Sequence, residues 1–311
     1  MKIVIYGTGA VGGYYGARLM QAGEDVTFIA RGENLRALQS RGLRVESVFG
    51  DVQFDSVKAT DDPASVGVVD VIISCVKTFS IEETAQAMRP MVGPDTMVIT
   101  TQNGVDAAPR YGDILGMEHM LGSTVKLFTQ LVAPGHIVHA GGPGTFVFGE
   151  FGKPSSERAE RFLAVLKKAP GVAPAIVADV DVELWSKLVL IGAFGGIGSV
   201  TRAPIGITRR LPETRALLEN IMDEICQVAW ARGVKLPKDT VQTCMQYADA
   251  QNEANTSSTQ RDIIAGRPSE MESIVGSVMR MGHEAGLAVP VLTTVYDALL
   301  PTDLRARGLE S

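Results

Sequence analysis

A glycine-rich turn at the start of the chain constrains the fold more than any other feature of the sequence. Residues 1–6 (MKIVIY) have the apolar, largely β-branched character of a buried strand, and Gly7-Thr-Gly9-Ala-Val-Gly12 follows directly. The small and apolar residues 13–21 are typical of a packed helix. A strand, a glycine turn and a helix in this order are the context in which a G-x-G-x-x-G motif indicates dinucleotide binding.

The three glycines have separate physical roles in such a turn. The first allows the tight turn, the second lets a pyrophosphate approach the backbone, and the third lets helix and strand pack closely. The N–H groups and the positive dipole end of the helix N-terminus then favour a phosphate. An ordinary strand-to-helix turn is the alternative. We expect the whole loop to bind the cofactor, namely Gly7, Thr8, Gly9, Ala10, Val11 and Gly12.

The residue after the second predicted strand bears on which dinucleotide binds. This strand covers residues 25–30, and Arg31 follows it. NAD sites usually have an acidic residue near this position for the ribose 2′-hydroxyl, whereas an arginine suits the 2′-phosphate of NADP. We therefore expect NADP(H) as the cofactor. The alternative for Arg31 is a solvated loop cation.

Composition limits the class of protein. The 311 residues are 45% hydrophobic, which excludes a mainly disordered chain, and they are enough for two domains. The net charge of −6 argues against a nucleic-acid scaffold. We see no cationic leader before an apolar core and no run of eighteen apolar residues, so we expect neither a secretory signal nor a membrane span. The sparse, odd set of three cysteines fits a reducing cytoplasm.

Metal binding is not expected. The sequence has no C-x-x-C or H-E-x-x-H spacing, and its four histidines are scattered. His136 and His139 are three residues apart in a strand-like segment, where that spacing points their side chains to opposite faces.

Alternating strands and helices in the first half predict a parallel, doubly wound sheet. Residues 69–76 and 97–101 are apolar strands, followed by Lys77 and by Gln102-Asn103-Gly104. Ligands of such sheets bind beyond the carboxyl ends of the strands, where Lys77 and Asn103 lie. Ser80 is expected to cap the next helix, with Glu82 and Glu83 in its first turn as partners of the helix dipole.

The chain changes character after residue 120. We expect an antiparallel extension over residues 120–150, made of strands over 123–131, 137–139 and 145–148 that Gly and Pro turns separate. A helix over 155–168 and a short strand over 175–177 are expected to follow. Strand signals then nearly vanish, and helices are predicted from Val182, Pro212, Pro237, Thr256, Pro268 and Pro290. The fold class is thus an α/β Rossmann-type doubly wound sheet over residues 1–178, followed by an all-helical domain over residues 179–311.

Lys187 is the most suggestive polar residue of the helical half. It lies in the segment ELWSKL, among apolar residues, and burial lowers the pKa of a lysine enough to make it a proton donor near neutral pH. The alternative is a surface ion pair with Glu183, four residues earlier, which stabilises a helix by only about 0.2–0.5 kcal/mol.

Three further segments leave alternatives open. Gly192, Gly195, Gly196 and Gly198 crowd one stretch, so either the helix breaks there or a neighbour needs the room. Glu270 and Glu272 open a predicted helix and could be mere dipole partners. Ser257 and Ser258 could bind an anion or cap a helix.

Taken together, these segments resemble the ketopantoate reductase family (2-dehydropantoate 2-reductases) over essentially the whole chain. The resemblance depends on the glycine loop, Gln102-Asn103-Gly104, the ELWSKL segment around Lys187, and Arg267-Pro-Ser-Glu270 running on to Pro290. It implies NADPH, a Rossmann domain and a helical domain like that of 6-phosphogluconate dehydrogenases.

The resemblance also implies roles for individual residues. Lys187 matches the lysine that protonates the developing alkoxide, and Glu270 matches the glutamate that binds substrate or assists proton transfer. Ser258 matches a substrate-contacting serine. Asn103 and Lys77 match residues on the cofactor and substrate sides of the cleft.

One departure from the family bears on the substrate. Well-known members have asparagines four and eight residues after the lysine, which hydrogen-bond the hydroxy acid; here these positions are Ile191 and Gly195. Residues at this spacing share one face of a helix with Lys187. Their replacement favours a larger or more apolar substrate, or other polar partners.

The sequence therefore predicts an NADPH-dependent reductase of 2-dehydropantoate (ketopantoate), in pantothenate biosynthesis, acting in the cytoplasm on a small 2-oxo acid without nucleic acid or membrane. One alternative is a related reductase of a more apolar 2-oxo acid. Another is a non-catalytic protein that senses NADPH. A homodimer is a weaker, family-level expectation.

Overall fold

The residues form two compact units in the computed structural model, which describes residues 1–309. The first unit comprises Met1–Gln102 and Ala107–Val180, and the second comprises Asn103–Asp106 and the chain from Asp181 onward. Asn103 therefore groups with the helical unit, although it directly follows a strand of the first. The predicted domain boundary at residue 178 stays a prediction.

The first unit is built on one ten-stranded mixed sheet, ordered β4-β3-β9-β8-β7-β6-β1-β2-β5 with β10 paired to β9. Its strands are β1 (Lys2–Tyr6), β2 (Asp25–Ile29), β3 (Leu43–Ser47), β4 (Val52–Phe54), β5 (Lys58–Thr60), β6 (Val71–Ser74), β7 (Met97–Thr100), β8 (Met120–Ala133), β9 (His136–Glu150) and β10 (Ala173–Ile176).

The central strands create a ligand crevice by their order. Strand β1 pairs in parallel with β2 on one side and with β6 on the other, so the chain changes direction across the sheet at β1. Ligands bind outside the carboxyl ends of the strands at such a switch point. Residues 3–5 of β1 and 71–73 of β6 are apolar and buried, and alternate side chains belong to two separate apolar cores on the two faces of the sheet, as in the predicted doubly wound class, which is confirmed.

Five helices accompany the sheet: α1 (Ala10–Gln21), α2 (Gly32–Arg41), α3 (Ile81–Met88), α4 (Ala107–Leu115) and α5 (Glu157–Leu166). The expected cap at Ser80 is wrong in one respect. Ser80 occupies the N-cap position of α3, but its side chain makes no capping hydrogen bond, because it closes a 3₁₀ turn over Thr78–Ser80. By contrast, Ser156 caps α5 by accepting a hydrogen bond from the N–H group of Ala159.

The predicted antiparallel extension is confirmed as a single long hairpin. Strands β8 and β9 pair antiparallel from Leu121–Glu150 to Ala133–His136, with register shifts near Lys126 and Leu131. The sequence pattern predicts three shorter strands instead, because Gly141, Gly142 and Gly144 interrupt it. These glycines lie within β9 at positive φ and do not end the strand.

The second unit is helical, as predicted. Its helices are α6 (Val180–Thr201), α7 (Ile205–Thr208), α8 (Pro212–Ala231), α9 (Thr240–Ala250), α10 (Ser258–Ile264), α11 (Ser277–Glu284) and α12 (Pro290–Arg307), and a π-helical turn over Glu272–Gly276 leads into α11.

Helix α6 is the centre of the second unit. The crowded glycines do not break it, because the helix continues to Thr201. By length and composition alone it could span a membrane, with a mean hydropathy of 1.4 over an 18-residue window, but 61% of that window is buried inside the protein. A buried core helix meets the same criteria, so this finding is weak evidence for a span. Leu188, Val189 and Ala193 are within the main apolar core of the unit.

A buried carboxylate caps the N-terminus of α12. Glu224 of α8 is 6% exposed and accepts hydrogen bonds from the N–H groups of Val291 and Leu292, at 2.9 and 2.8 Å. These are N–H groups of the first turn of α12, which have no partner within the helix. Pro290 occupies the first helical position, as expected from its missing N–H.

Candidate functional site

The glycine loop has the geometry that the motif predicts for a phosphate cradle. Gly7 has a φ of +96°, and a Cβ there would lie 2.9 Å from the backbone nitrogen of Val76. A Cβ at Gly12 would overlap the carbonyl oxygen of Gly7, so α1 packs directly on the turn. A Cβ at Gly9 meets no heavy atom within 4 Å, so the second glycine leaves open space at the helix N-terminus. These residues therefore fit a dinucleotide pyrophosphate.

Hydrogen bonds hold this loop to the neighbouring elements. Thr8 donates from both its backbone N–H and its hydroxyl to the carbonyl of Ile29 at the end of β2. The side-chain amide of Asn34 donates to the carbonyl of Thr8 at 2.5 Å, while its oxygen accepts the N–H of Gly135 at 2.8 Å. Asn34 thus ties the loop to the tip of the β8–β9 hairpin, a role that the sequence analysis missed.

Arg31 lies at the mouth of the same crevice. It occupies the N-cap position of α2, its side chain is 65% exposed, and its guanidinium forms an ion pair with Glu83 of α3 at 2.8 Å. Tyr6 lies nearby, at the end of β1. Burial raises the pKa of Tyr6, and the positive charge of Arg31 partly opposes this rise. The sequence predicts only a helix-dipole role for Glu83, so this ion pair is a contact that the pattern does not reveal.

The end of β6 contributes a buried thiol and an exposed lysine. Burial raises the pKa of Cys75 to about 12, so this cysteine is a packing residue beneath the glycine loop and not a nucleophile. Lys77 follows three residues after the strand, exposed, at the N-cap position of the 3₁₀ turn. Gln102, at the end of β7, donates to Ser74 Oγ and to the carbonyl of Val76, and so links the ends of β6 and β7.

The segment Asn103–Asp106 is held by the helical unit. Gly104 has a φ of +106°, and a Cβ there would lie 2.8 Å from the carbonyl oxygen of Ser273. The hydroxyl of Ser273 donates to Asp106 Oδ2 at 3.0 Å. Asn103 is consequently placed beside the π-helical turn that follows Glu270.

Helix α6 carries Lys187, Ile191 and Gly195 at four-residue intervals, which places them along one face. Lys187 and Ile191 are partly buried, and Gly195 is buried. A Cβ at Gly195 would lie 3.6 Å from both Ser257 Oγ and Thr259 Cβ, which are ordinary packing distances. The structure thus places Gly195 beside the loop and first turn that contain Ser258.

The other glycines of α6 are required by close packing. A Cβ at Gly192 would lie 2.7 Å from Ile225 Cδ1, and one at Gly198 would lie 2.6 Å from Gln260 Oε1. A Cβ at Gly196 would lie 3.1 Å from Val295 Cγ1. Among the four crowded glycines, Gly195 is therefore the one whose lack of a side chain packing does not explain.

Two glutamates near the π-helical turn have different surroundings. Glu272 accepts a hydrogen bond from Tyr296 Oη at 2.6 Å and pairs with Arg280. Burial, followed by this carboxylate, raises the pKa of Tyr296 to about 12, so the phenol remains a donor. Glu270 is 7% exposed and lies outside this pair.

A clamp on α12 holds the residue before Glu270. Asp303, 3% exposed, accepts hydrogen bonds from the N–H and the hydroxyl of Ser269 at 3.0 and 2.6 Å. Arg307 donates to the carbonyl of Ser269 at 2.9 Å and pairs with Asp303. The expected helix from Pro268 thus starts later, at Met271, because the backbone of Ser269 is committed to this clamp.

The two serines have separate roles. Ser257 caps α10 by accepting a hydrogen bond from the N–H of Gln260 at 2.9 Å, whereas Ser258 is exposed at the first helical position. Among residues 1–309, no group of three or more His, Cys, Asp or Glu could hold a metal ion.

Comparison with known proteins identifies the class of protein. The family model described as "Ketopantoate reductase PanE/ApbA" matches residues 3–153, and the family model for the C-terminal part of the same proteins matches residues 179–302. A 2-dehydropantoate 2-reductase of Nostoc sp. is 30% identical over 98% of this chain and 96% of its own. A PanE/ApbA family ketopantoate reductase from Ralstonia eutropha JMP134 superposes with a TM-score of 0.90 at 31% identity, over 99% and 100% of the two chains.

A more distant structure shows the same fold. D-mandelate dehydrogenase, solved with NADH and anilino(oxo)acetate, has a TM-score of 0.89 at 20% identity over 99% of each chain. These matches define the class as oxidoreductases with a Rossmann-like first domain and a helical second domain. This chain belongs to the ketopantoate reductase family. It is therefore an enzyme that acts on a CH–OH group, and membership of a reductase family with a Rossmann-like domain suggests a nicotinamide cofactor.

The glycines of α6 provide a test of this packing. Alanine is favoured over glycine in a helix interior by about 0.5–1 kcal/mol, so Gly195→Ala should raise the free energy of unfolding by about that amount. Gly198→Ala should lower it, because Gln260 is 1% exposed and bonded to the carbonyl of Ala203. Urea unfolding of both variants measures the difference, and equal changes would contradict the assignment of Gly195 as unconstrained.

Proposed function

We propose that this protein reduces a 2-oxo acid with NADPH, and that the substrate is 2-dehydropantoate. The observation that carries the proposal is the close packing of α6, which holds Lys187, on the helical turn after Glu270. A Cβ at Gly192 would lie 3.7 Å from the carbonyl oxygen of Ile274. Lys187 is the candidate proton donor, and Glu270 is the glutamate that is the candidate substrate ligand. Both are thus in packed elements of one unit, which also contains Asn103.

The chemistry divides between the cofactor and the chain. A bound nicotinamide supplies the hydride for the keto carbon. Lys187 donates the proton to the substrate oxygen, and its ammonium group stabilises the negative charge that develops there. The partial burial of Lys187 among Leu188 and Leu184 removes competing water. Glu270 binds the substrate or assists the proton transfer, and Asp303 and Arg307 hold the backbone of the preceding residue, Ser269.

The first unit holds the proposed cofactor residues. The N–H groups of the Gly7–Gly12 loop bind the pyrophosphate, and Arg31 binds the 2′-phosphate that distinguishes NADPH from NADH. Two further polar residues belong to the proposed site. Lys77 lies beyond the end of β6 and binds the cofactor, and Asn103 binds the cofactor and the substrate. The proposal also assigns cofactor binding to residues 1–178 and substrate binding to residues 179–311. It includes Ser258 as a substrate contact, a cytoplasmic location and a homodimer.

Removal of the proposed proton donor should affect turnover more than folding. Lys187→Ala should lower kcat by about 10²–10⁴-fold, the usual contribution of acid catalysis. Lys187→Arg should remain slow, because a guanidinium keeps its charge but its pKa of about 12 or higher makes it a poor donor. Steady-state kinetics with a thermal unfolding scan measure both effects. Lys235→Ala, at an exposed lysine of the same unit, is the control, and full turnover in folded Lys187→Ala would remove Lys187 from the mechanism.

The proposed 2′-phosphate contact predicts a change that is specific to one cofactor. Arg31→Ala should raise the KM for NADPH much more than the KM for NADH, because only NADPH has the charge that Arg31 binds. Arg36→Ala is a matched control, since Arg36 is an equally exposed arginine of α2 whose ion pair is with Glu33 of the same helix. Equal effects of Arg31→Ala on both cofactors would refute the role.

A second candidate is a reductase of a bulkier, more apolar 2-oxo acid. It is favoured by the apolar side chain of Ile191 and by the lack of a side chain at Gly195. A Cβ at Gly195 would lie at ordinary packing distances from Ser257 and Thr259, so packing does not require glycine there. A site without amides loses the discrimination that hydrogen bonds to a substrate hydroxyl provide. The reaction and the role of Lys187 are the same in both candidates.

A substrate panel separates the two candidates. NADPH oxidation is followed at an absorbance wavelength of about 340 nm, the usual signal of the reduced cofactor, with 2-dehydropantoate and with branched and aromatic 2-oxo acids. The proposal expects the highest kcat/KM for 2-dehydropantoate. A higher value for a bulky acid, lowered again in Gly195→Asn by the added side chain, would instead support the second candidate.

A further inference from the structure

The ion pair between Arg31 and Glu83 is in the region where the cofactor's adenosine ribose is expected. Arg31 follows β2 and Glu83 is in the first turn of α3, so the chain brings a cation and a carboxylate together from elements 52 residues apart. We propose that Glu83 is a specificity-determining residue that weakens the preference of this enzyme for NADPH over NADH. This inference rests on the proposed role of Arg31 at the 2′-phosphate.

The fold does not need this ion pair. Both side chains are 65% exposed, and exposed ion pairs contribute little to stability. The neighbouring Glu82 has a structural role instead, because Arg110 donates to both of its oxygens, at 2.7 and 2.9 Å, and also to the carbonyl of Thr78. Two adjacent carboxylates of one helical turn thus have different partners. Only the partner of Glu83, which is Arg31, is the proposed ligand of the 2′-phosphate.

The electrostatic consequence depends on the group at the ribose 2′ position. A 2′-phosphate on Arg31 brings up to two negative charges close to the carboxylate of Glu83, which repels them and competes for the guanidinium. A 2′-hydroxyl has no charge to repel and can donate a hydrogen bond to a carboxylate, as acidic residues accept in NAD sites. Glu83 therefore disfavours the phosphate and tolerates the hydroxyl.

Glutamine at this position removes the charge and keeps the shape. Glu83→Gln should tighten binding of 2′,5′-ADP roughly fivefold, the effect of one unit charge at about 4 Å in water. Binding of AMP, which lacks the 2′-phosphate, should be unchanged or weaker. Isothermal titration calorimetry of the wild type, Glu83→Gln and Glu82→Gln with both nucleotides measures this without turnover. The gain should shrink at about 1 M salt, where the screening length falls to roughly 3 Å.

The matched variant separates a local effect from a change in net charge. Both substitutions remove one negative charge from the same turn, so a through-space effect of net charge would appear in both. Equal tightening of 2′,5′-ADP by the two variants would overturn the proposal, as would weaker binding in Glu83→Gln, which would mean that Glu83 only positions Arg31.

Arg31→Ala, titrated alongside, keeps the two proposals distinguishable. If Arg31→Ala loses selectivity for 2′,5′-ADP over AMP while Glu83→Gln matches Glu82→Gln, then Arg31 binds the phosphate and Glu83 does not set specificity. If Arg31→Ala leaves selectivity intact, the phosphate role of Arg31 itself fails.

Discussion

Close approach of backbone to backbone at the start of α1 is the constraint on which the first unit depends. A side chain at Gly12 would overlap the carbonyl of Gly7, so the helix can begin directly on the turn only because glycine is present. The same contact leaves the first N–H groups of α1 pointing beyond the ends of β1 and β6, at the crossover of the sheet. The proposed phosphate site and the packing of the sheet therefore depend on one arrangement, and a change that separates helix from strand would damage both.

The second unit uses glycine for a different purpose. Along α6, Gly192, Gly196 and Gly198 let neighbouring helices approach, so the helix can be central to its unit and still carry Lys187. Gly195 is the exception, since nothing packs tightly where its side chain would be. The polar groups around this helix are fixed by buried clamps, of which Asp303 and Arg307 on Ser269 are the clearest. Rigid support of this kind is what positions catalytic groups to within fractions of an ångström.

Local patterns were sufficient for much of the architecture. The glycine motif, the apolar runs of β1, β6 and β7, and the loss of strand signals near residue 178 predicted a doubly wound sheet followed by helices, and the class is confirmed. Element ends were predicted less well: β6 is four residues rather than eight, and the glycines in β9 hid one long strand. The strand continues through those glycines because β8 pairs with β9 both before and after them, and no local pattern contains that pairing.

The candidate site divides in the same way between sequence and tertiary structure. The sequence by itself determined the position of the glycine loop between strand and helix, the cation at Arg31 and the spacing of Lys187, Ile191 and Gly195, because these depend on neighbours within two helical turns. Only the tertiary structure decided that Glu83 contacts Arg31, that Asn34 joins the glycine loop to Gly135, and that Asn103 groups with the helical unit. The partners in the first two contacts are 52 and 101 residues apart, and Asp106, in the segment of Asn103, is 167 residues from its partner Ser273. Short-range patterns hold no information about which distant side chains will meet.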